Sequence, residues 1–239
     1  WGGRNGPSMA GVWCVAQRRR NPPNKGDKIR SCRRLRHIAQ GDSVHVGSFI
    51  DDTQEAAHLP GLSKLAGGEL YSPALSPRLS RLRSLRALLT ARSCTEAYYA
   101  NRGMAAWVQR LLRDRPIRHA VVFSSSMAQY LMDVRGVRRV LDLVDVDSEK
   151  WRDYANARSG PVAAFYRREA ARLLAFERRA AAQFDATVLV SEPEAQRFRR
   201  RAPEVAGRVS ALSNGVDAPV FDPAAGLADP YDRRGAPRL

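Results

Sequence analysis

Lysine is nearly missing from this strongly basic chain. Among 239 residues there are 40 cations and 24 acids, for a formal net charge of +16, yet only Lys25, Lys28, Lys64 and Lys150 are lysines. An arginine- and alanine-rich composition follows from a GC-rich genome, but that bias sets a total and not a clustering. The charge leaves three kinds of partner open: nucleic acid, an anionic membrane surface, or a phosphorylated substrate. Cysteine is scarce too. Cys14, Cys32 and Cys94 are odd in number, widely spaced and without a CxxC pair, so a disulfide framework and a zinc site are excluded and free thiols in a reducing cytoplasm are expected. No run approaches the roughly 18 apolar residues of a membrane span. Residues 1–10, WGGRNGPSMA, lack the pattern of a signal peptide. They are expected to form a leader without fixed structure or foreign to the protein, with Met9 as a candidate start. A GxGxxG fingerprint, a GK[ST] loop and a GxSxG elbow are all missing. These absences count against a dinucleotide enzyme, a P-loop ATPase and a serine hydrolase. His37, His45, His58 and His119 show no metal spacing, so no histidine-held metal and no cofactor are expected.

What is present is a 44% hydrophobic chain with alternating strand and helix signals. GVWCVAQ (11–17), VHVGSFI (44–50), the stretch from Gly67 to 72, HAVVFSSS (119–126), RRVLDLVDVDS (138–148), DATVLV (185–190) and RVSA (208–211) read as strands. Helices are expected over 27–38 with Asp27 as cap, and over 53–66, 78–92, 101–113 and 161–183, the last opened by Pro161. Another is expected from the Ser-Glu-Pro at 191–193. The strands are continuously apolar, as strands covered on both faces are. The fold class is therefore α/β: a Rossmann-like parallel sheet with helices on both faces.

In such sheets ligands bind beyond the carboxyl ends of the strands, where the polar corners of this sequence fall. PPNKGDK (22–28) has a rigid backbone, and Gly26 permits close approach. The helix start after it offers free N–H groups, so Asn24, Lys25, Gly26, Asp27 and Lys28 are candidates for a phosphate or sugar oxygen. Ser124, Ser125 and Ser126 either bind a ligand or cap a helix. VDVDS carries Asp145 and Asp147 and is flanked by Asp142 and Glu149. Alternate carboxylates there could hold a metal or sugar hydroxyls, act as a base, or simply be a solvated strand end. Asp145 and Asp147 share parity and would point to one face of a continuing strand. In VSEPEA, Ser191 and Glu194 form a capping box. SNGVD (213–217) is a tight turn.

In this order, PPNKGDKIRS, FSSSMAQY, VDVDSEKW, RREAARLLAFERRAAAQFDATVLVSEPEA and SNGVD resemble blocks of the family 4 glycosyltransferases. More narrowly, they resemble the bacterial sugar transferases of the PEP-CTERM/exosortase exopolysaccharide system. The resemblance implies the amino-terminal, acceptor-side half of a GT-B fold over 11–217, with 218–239 as an interdomain linker and the carboxyl-terminal half missing. It implies transfer of a sugar from a nucleotide-sugar donor to a saccharide or lipid-linked acceptor, with retention of configuration and no required metal. On this reading Asn24–Lys28, Ser124–Ser126 and Glu192 contact substrate. Asp145 and Asp147 are the candidates for the catalytic centre, with no general base assigned. The isolated chain, lacking the donor half, is expected to be inactive.

Two basic clusters stand apart from these corners. Residues 17–36 hold nine cations and one acid. Residues 78–92 place Leu79, Leu82, Leu85, Leu88 and Leu89 on one side of a helix and arginines on the other. This second cluster is either a helix packed on the sheet or a device for an anionic membrane surface, which would make the protein peripheral at the inner face of the cell membrane. The alternative function is a basic nucleic-acid-binding or membrane-surface module without catalysis. No specific nucleic acid is expected, because no recognition motif is present and aromatics do not interleave with the basic runs.

Overall fold

The apolar runs become strands because both of their faces find a core. In the computed structural model, which describes residues 11–16, 26–40, 43–50 and 59–215, the run after Ile117 shows this directly. Ala120 and Val122 join one apolar cluster, while Val121 and Phe123 face the other. The strands are β1 (Gly11–Ala16), β2 (Val44–Ser48), β3 (Gly67–Tyr71), β4 (Ile117–Phe123), β5 (Arg138–Val144), β6 (Ala186–Leu189) and β7 (Val209–Ala211). They form a single sheet in the order β3-β2-β1-β4-β5-β6-β7, and every neighbouring pair is parallel. The α/β fold with a parallel Rossmann-like sheet is therefore as expected.

The helices among the described residues are α1 (Gly26–Ile38), α2 (Leu59–Ala66), α3 (Pro77–Ala87), α4 (Cys94–Tyr98), α5 (Arg102–Asp114), α6 (Asp147–Asn156), α7 (Gly160–Gln183) and α8 (Glu192–Arg201). The smaller core holds Leu35 of α1 and Leu62 of α2 against Val44 and Val46. The larger holds Met104, Trp107 and Leu111 of α5, Phe176 and Ala180 of α7, and Phe198 of α8. The two clusters lie on opposite faces of the sheet, since alternate residues of β4 feed them. At Gly47 the ring of Trp107 comes so close to β2 that an added Cβ would lie 2.7 Å from Cζ3. Only glycine lets α5 seat there.

Several expectations need correction. The first helix begins at Gly26, so Asp27 is its second residue and not its cap. The helix expected over 53–66 is described from Leu59 onward, and 51–58 lie outside the described residues. The strand read through VDVDS stops at Val144, and Asp147 opens α6. The leucine side of α3 is not the side packed on the protein. The inner stripe is Ser80 and Ala87, while Leu79, Leu82 and Leu85 are exposed together with Arg78, Arg81 and Arg86. The small residues let α3 lie close, and the large apolar ones point away.

Candidate functional site

The strand order reverses between β1 and β4, since the chain adds β2 and β3 on one side and β4 to β7 on the other. The carboxyl edge beside such a switch point is where an open parallel sheet has room for a ligand. The described parts of three expected corners fall along this edge.

The first turn of α1, with Gly26, Asp27 and Lys28, follows β1 at this edge because β1 runs parallel to β4 and β5. Asn24 and Lys25 lie outside the described residues. Beyond β4, Ser124 adopts φ 75° and ψ 142°, a region that glycine tolerates and other residues rarely enter. Its N–H donates to the Asp142 carbonyl at 2.8 Å. Its hydroxyl lies 3.4 Å from that of Ser126. Ser124 makes no side-chain cap, so the capping role is not what holds this turn. On the neighbouring strand Val144 also has positive φ, 67°. Two non-glycine residues are thus held in costly conformations at the ends of adjacent strands, at about 1–3 kcal/mol each.

The kink at Val144 delivers the carboxylates. Asp145 follows it and Asp147 is the first residue of α6. Lys150 Nζ bonds both, at 3.2 Å to Asp145 and 3.1 Å to Asp147. The two acids therefore do converge, but through a bend and a helix start rather than through strand parity. Burial pushes the Asp147 carboxyl above its usual range, against the opposing pull of Lys150 and with a smaller push from Asp145. Its side chain still keeps 27% of its surface accessible, enough to meet a ligand. Burial would lower Lys150, but the charges of Asp147 and Asp145 outweigh it and hold the amine above its ordinary value. The Ser125 hydroxyl is buried beside Asp147, and hydrogen bonding from it favours that group's charged form.

Behind this triad, fully buried Glu177 of α7 accepts from Ser148 N at 3.2 Å and from Ser148 Oγ at 2.5 Å. It thereby caps the first turn of α6. Glu194 does the same job from α8, accepting from Val146 N at 3.1 Å. Ser191 accepts from Glu194 N as the capping pattern predicts, yet the Glu194 carboxylate reaches the carboxylate loop instead of returning to Ser191.

Two acids of the VDVDS corner serve structure. Asp142 is buried on the α1 face, where Arg30 Nε bonds its oxygens at 3.0 and 3.2 Å and Arg34 adds a second ion pair. Glu149 pairs with Arg152 and Arg201, each at 3.0 Å. Glu192 is exposed and bound by Arg199 at 2.6 Å.

A cavity of about 390 Å3 opens beside Asp147 and Lys150. Asp147, Lys150 and Trp151 line one side, Thr95, Tyr98 and Tyr99 another. The Trp151 and Tyr154 rings meet edge to face at 6.0 Å, and those of Tyr98 and Tyr99 at 5.0 Å. Cys94 also lines it. Burial raises its thiol to about 11, and the sulfur contacts the Ser84 carbonyl at 3.4 Å, so it is a poor nucleophile. A second cavity of about 650 Å3 lies where Arg83, Arg92 and Arg102 approach Asn101, Gln129 and Tyr130. Sequence reasoning missed Lys150 and all four cavity aromatics. The signal was present as Tyr-Tyr at 98–99 and Lys-Trp-x-x-Tyr at 150–154, whose helical spacing puts the lysine and the rings on neighbouring faces.

No protein-family model matches the sequence, and no curated protein matches it. Solved structures do. A ugt transferase from Siraitia grosvenorii in complex with UDP aligns at TM-score 0.46 and 10% identity, over 86% of this chain and 51% of that one. A UDP-glucosyltransferase from Polygonum tinctorium aligns at TM-score 0.44 and 10% identity, over 87% and 52%. The N-terminal domain of a Candida albicans trehalose-6-phosphate phosphatase aligns at TM-score 0.46 and 12% identity, over 92% and 52%. The chain spans about half the length of these solved chains.

Proposed function

We propose that this chain is the acceptor-binding lobe of a GT-B glycosyltransferase. Its acceptor would be a saccharide, carried on a lipid phosphate as in exopolysaccharide assembly. Its donor would be a nucleotide sugar held chiefly by a second lobe, with transfer retaining the anomeric configuration. The observation that carries the reading is the cavity beside the start of α6, beyond the carboxyl end of β5, lined by aromatic rings and by Asp147 and Lys150. Sugars present weakly polar C–H faces to aromatic rings and hydroxyls to carboxylates and amines, so a wall of each kind suits them. The guanidinium groups of the second cavity would offer counter-charge to the acceptor's phosphate. Gly26 and Lys28, at the same edge, would lie toward the donor diphosphate.

The test needs no transfer reaction. The chain is titrated with a panel of neutral mono- and oligosaccharides, read by ligand-observed NMR. Saturable binding is expected, weakened about tenfold or more by Asp147→Asn and by Trp151→Leu, the loss of one charged hydrogen bond or one stacking face. Absence of binding to every saccharide, or equal binding in both variants, overturns the reading.

A further inference from the structure

The surface of α3 is unlike the rest of the molecule. Leu79 is 58% exposed, Leu82 47%, Leu85 61%, and Leu89 just after the helix 91%. Exposed single leucines are ordinary, but four within eleven residues on one helical face form a contiguous apolar ridge. At 100° per residue, Leu82, Leu85 and Leu89 fall within one narrow sector, with Arg81 on one flank and Arg86 on the other. Arg78 lies in the same sector about one turn before Leu82 and ends the ridge with a cation at the helix start. From 70 to 95 the sequence contains no acidic residue at all.

This ridge is mounted rigidly. Ser80 and Ala87 are buried beneath it, Arg83 donates to Ser80 Oγ at 2.9 Å, and Ser84 donates to the Cys94 carbonyl at 3.0 Å. Arg168 of α7 reaches the last turn, donating to the carbonyls of Ala87 at 2.7 Å and Leu88 at 3.1 Å. The helix is thus fastened by its small face with its large apolar side chains held outward.

We propose that α3 docks this protein onto an anionic lipid bilayer, with Leu82, Leu85 and Leu89 entering the acyl boundary and Arg78, Arg81 and Arg86 meeting lipid phosphates. The charge decides the occupant. An apolar protein partner would need no rim made wholly of cations, whereas a helix lying in a bilayer interface has leucines toward the chains and arginines at the headgroup level. No helix among the described residues is long and apolar enough to cross a membrane, so the contact is one of lying on the surface. The proposal stands apart from sugar transfer, because vesicle binding is measured without donor or acceptor.

The experiment is sedimentation of the full chain with vesicles of phosphatidylcholine alone and of phosphatidylcholine mixed with phosphatidylglycerol. Strong binding to the mixed vesicles and weak binding to neutral ones are expected. Leu82→Ser/Leu85→Ser/Leu89→Ser together lower the partition coefficient on mixed vesicles about tenfold or more, since each buried leucine contributes strongly. Arg78→Gln/Arg81→Gln/Arg86→Gln lower it by a similar factor and remove its salt dependence. Both sets lie on the outer face, so unchanged thermal unfolding confirms that folding is intact. Leu82→Trp adds an independent reading: its emission shifts to the blue on adding mixed vesicles. Equal binding of the leucine variant and the parent, or an unshifted Leu82→Trp emission, overturns the proposal. A dimer of the parent chain that dissociates in the leucine variant also overturns it, by showing a second copy on the ridge.

Discussion

Glu177 shows how much one carboxyl can say about a site. Burial first, and the Asp147 charge second, push it from 4.5 to about 8, although its bonds with Ser148 act in the opposite direction. In the unfolded chain it would titrate near its ordinary value, so folding takes up a proton between about pH 4.5 and 8. The stabilisation is complete below that window and is lost as pH rises through it, at about 1.4 kcal/mol per pH unit. Glu177→Gln keeps the shape and the Ser148 contacts. It should leave stability near pH 5 little changed and raise it above pH 8, flattening the curve of Tm against pH. Parallel curves for the two proteins would count against a protonated Glu177. Ser124 and Val144 carry a related message, since strained backbone at two adjacent strand ends persists only where the surroundings enforce it.

Among the elements, α3 and α4 depend on α7. Arg168 gathers the end carbonyls of α3, and Glu169, fully buried, accepts from Cys94 N at 2.7 Å and Thr95 N at 2.8 Å at the start of α4. Cation at a helix end and anion at a helix start each match the backbone dipole. Arg168→Ala should cost about 1–3 kcal/mol in urea unfolding, because several carbonyls lose their donor together. It should also speed hydrogen exchange in 84–95 more than elsewhere. Uniform exchange along the chain would refute this coupling. Such dependence explains what was legible in the sequence. Strands with continuous apolar runs, such as the one through Val121 and Val122, and the helix of Met104, Trp107 and Leu111 announce themselves locally. The five-residue α4 does not, because a helix that short has no stability of its own and its anchor lies 75 residues away. The start of α6 was hidden for another reason: alternating Val and Asp imitate a strand, and the bend at Val144 overrides the pattern.

At the scale of the whole molecule, much of the arginine excess works inside the protein. Arg139 donates to the carbonyls of Leu131, Met132 and Gln183, and Arg199 to that of Val209. A rigid planar fork of five donors can tie several carbonyls at fixed angles, whereas lysine offers three donors from a single atom on a flexible stem, which gives the lysine shortage a structural sense. The largest such knot is Arg30, which bonds Asp142, the Leu189 and Leu212 carbonyls and Asn214 at 2.9 Å, joining α1 to three strands' ends. Asp142→Asn should destabilise the fold by about 3–5 kcal/mol, since it leaves a buried guanidinium without its counter-ion. Adding Arg30→Met should recover part of that loss; an equally large loss in the double variant would show that the knot acts through something other than charge. Asp145 and Asp147 were picked out by the sequence, but the bend that brings both to Lys150 was not. Nor were Lys150, Tyr98 and Trp151, because a cavity belongs to several elements at once. One last consequence follows from α7. Its 24 residues make a stiff rod about 36 Å long, and Glu169 and Glu177 stand about 12 Å apart on it. The mounting of the leucine ridge and the floor beneath the carboxylates are therefore two brackets on one beam, and neither can be tilted without loading the other.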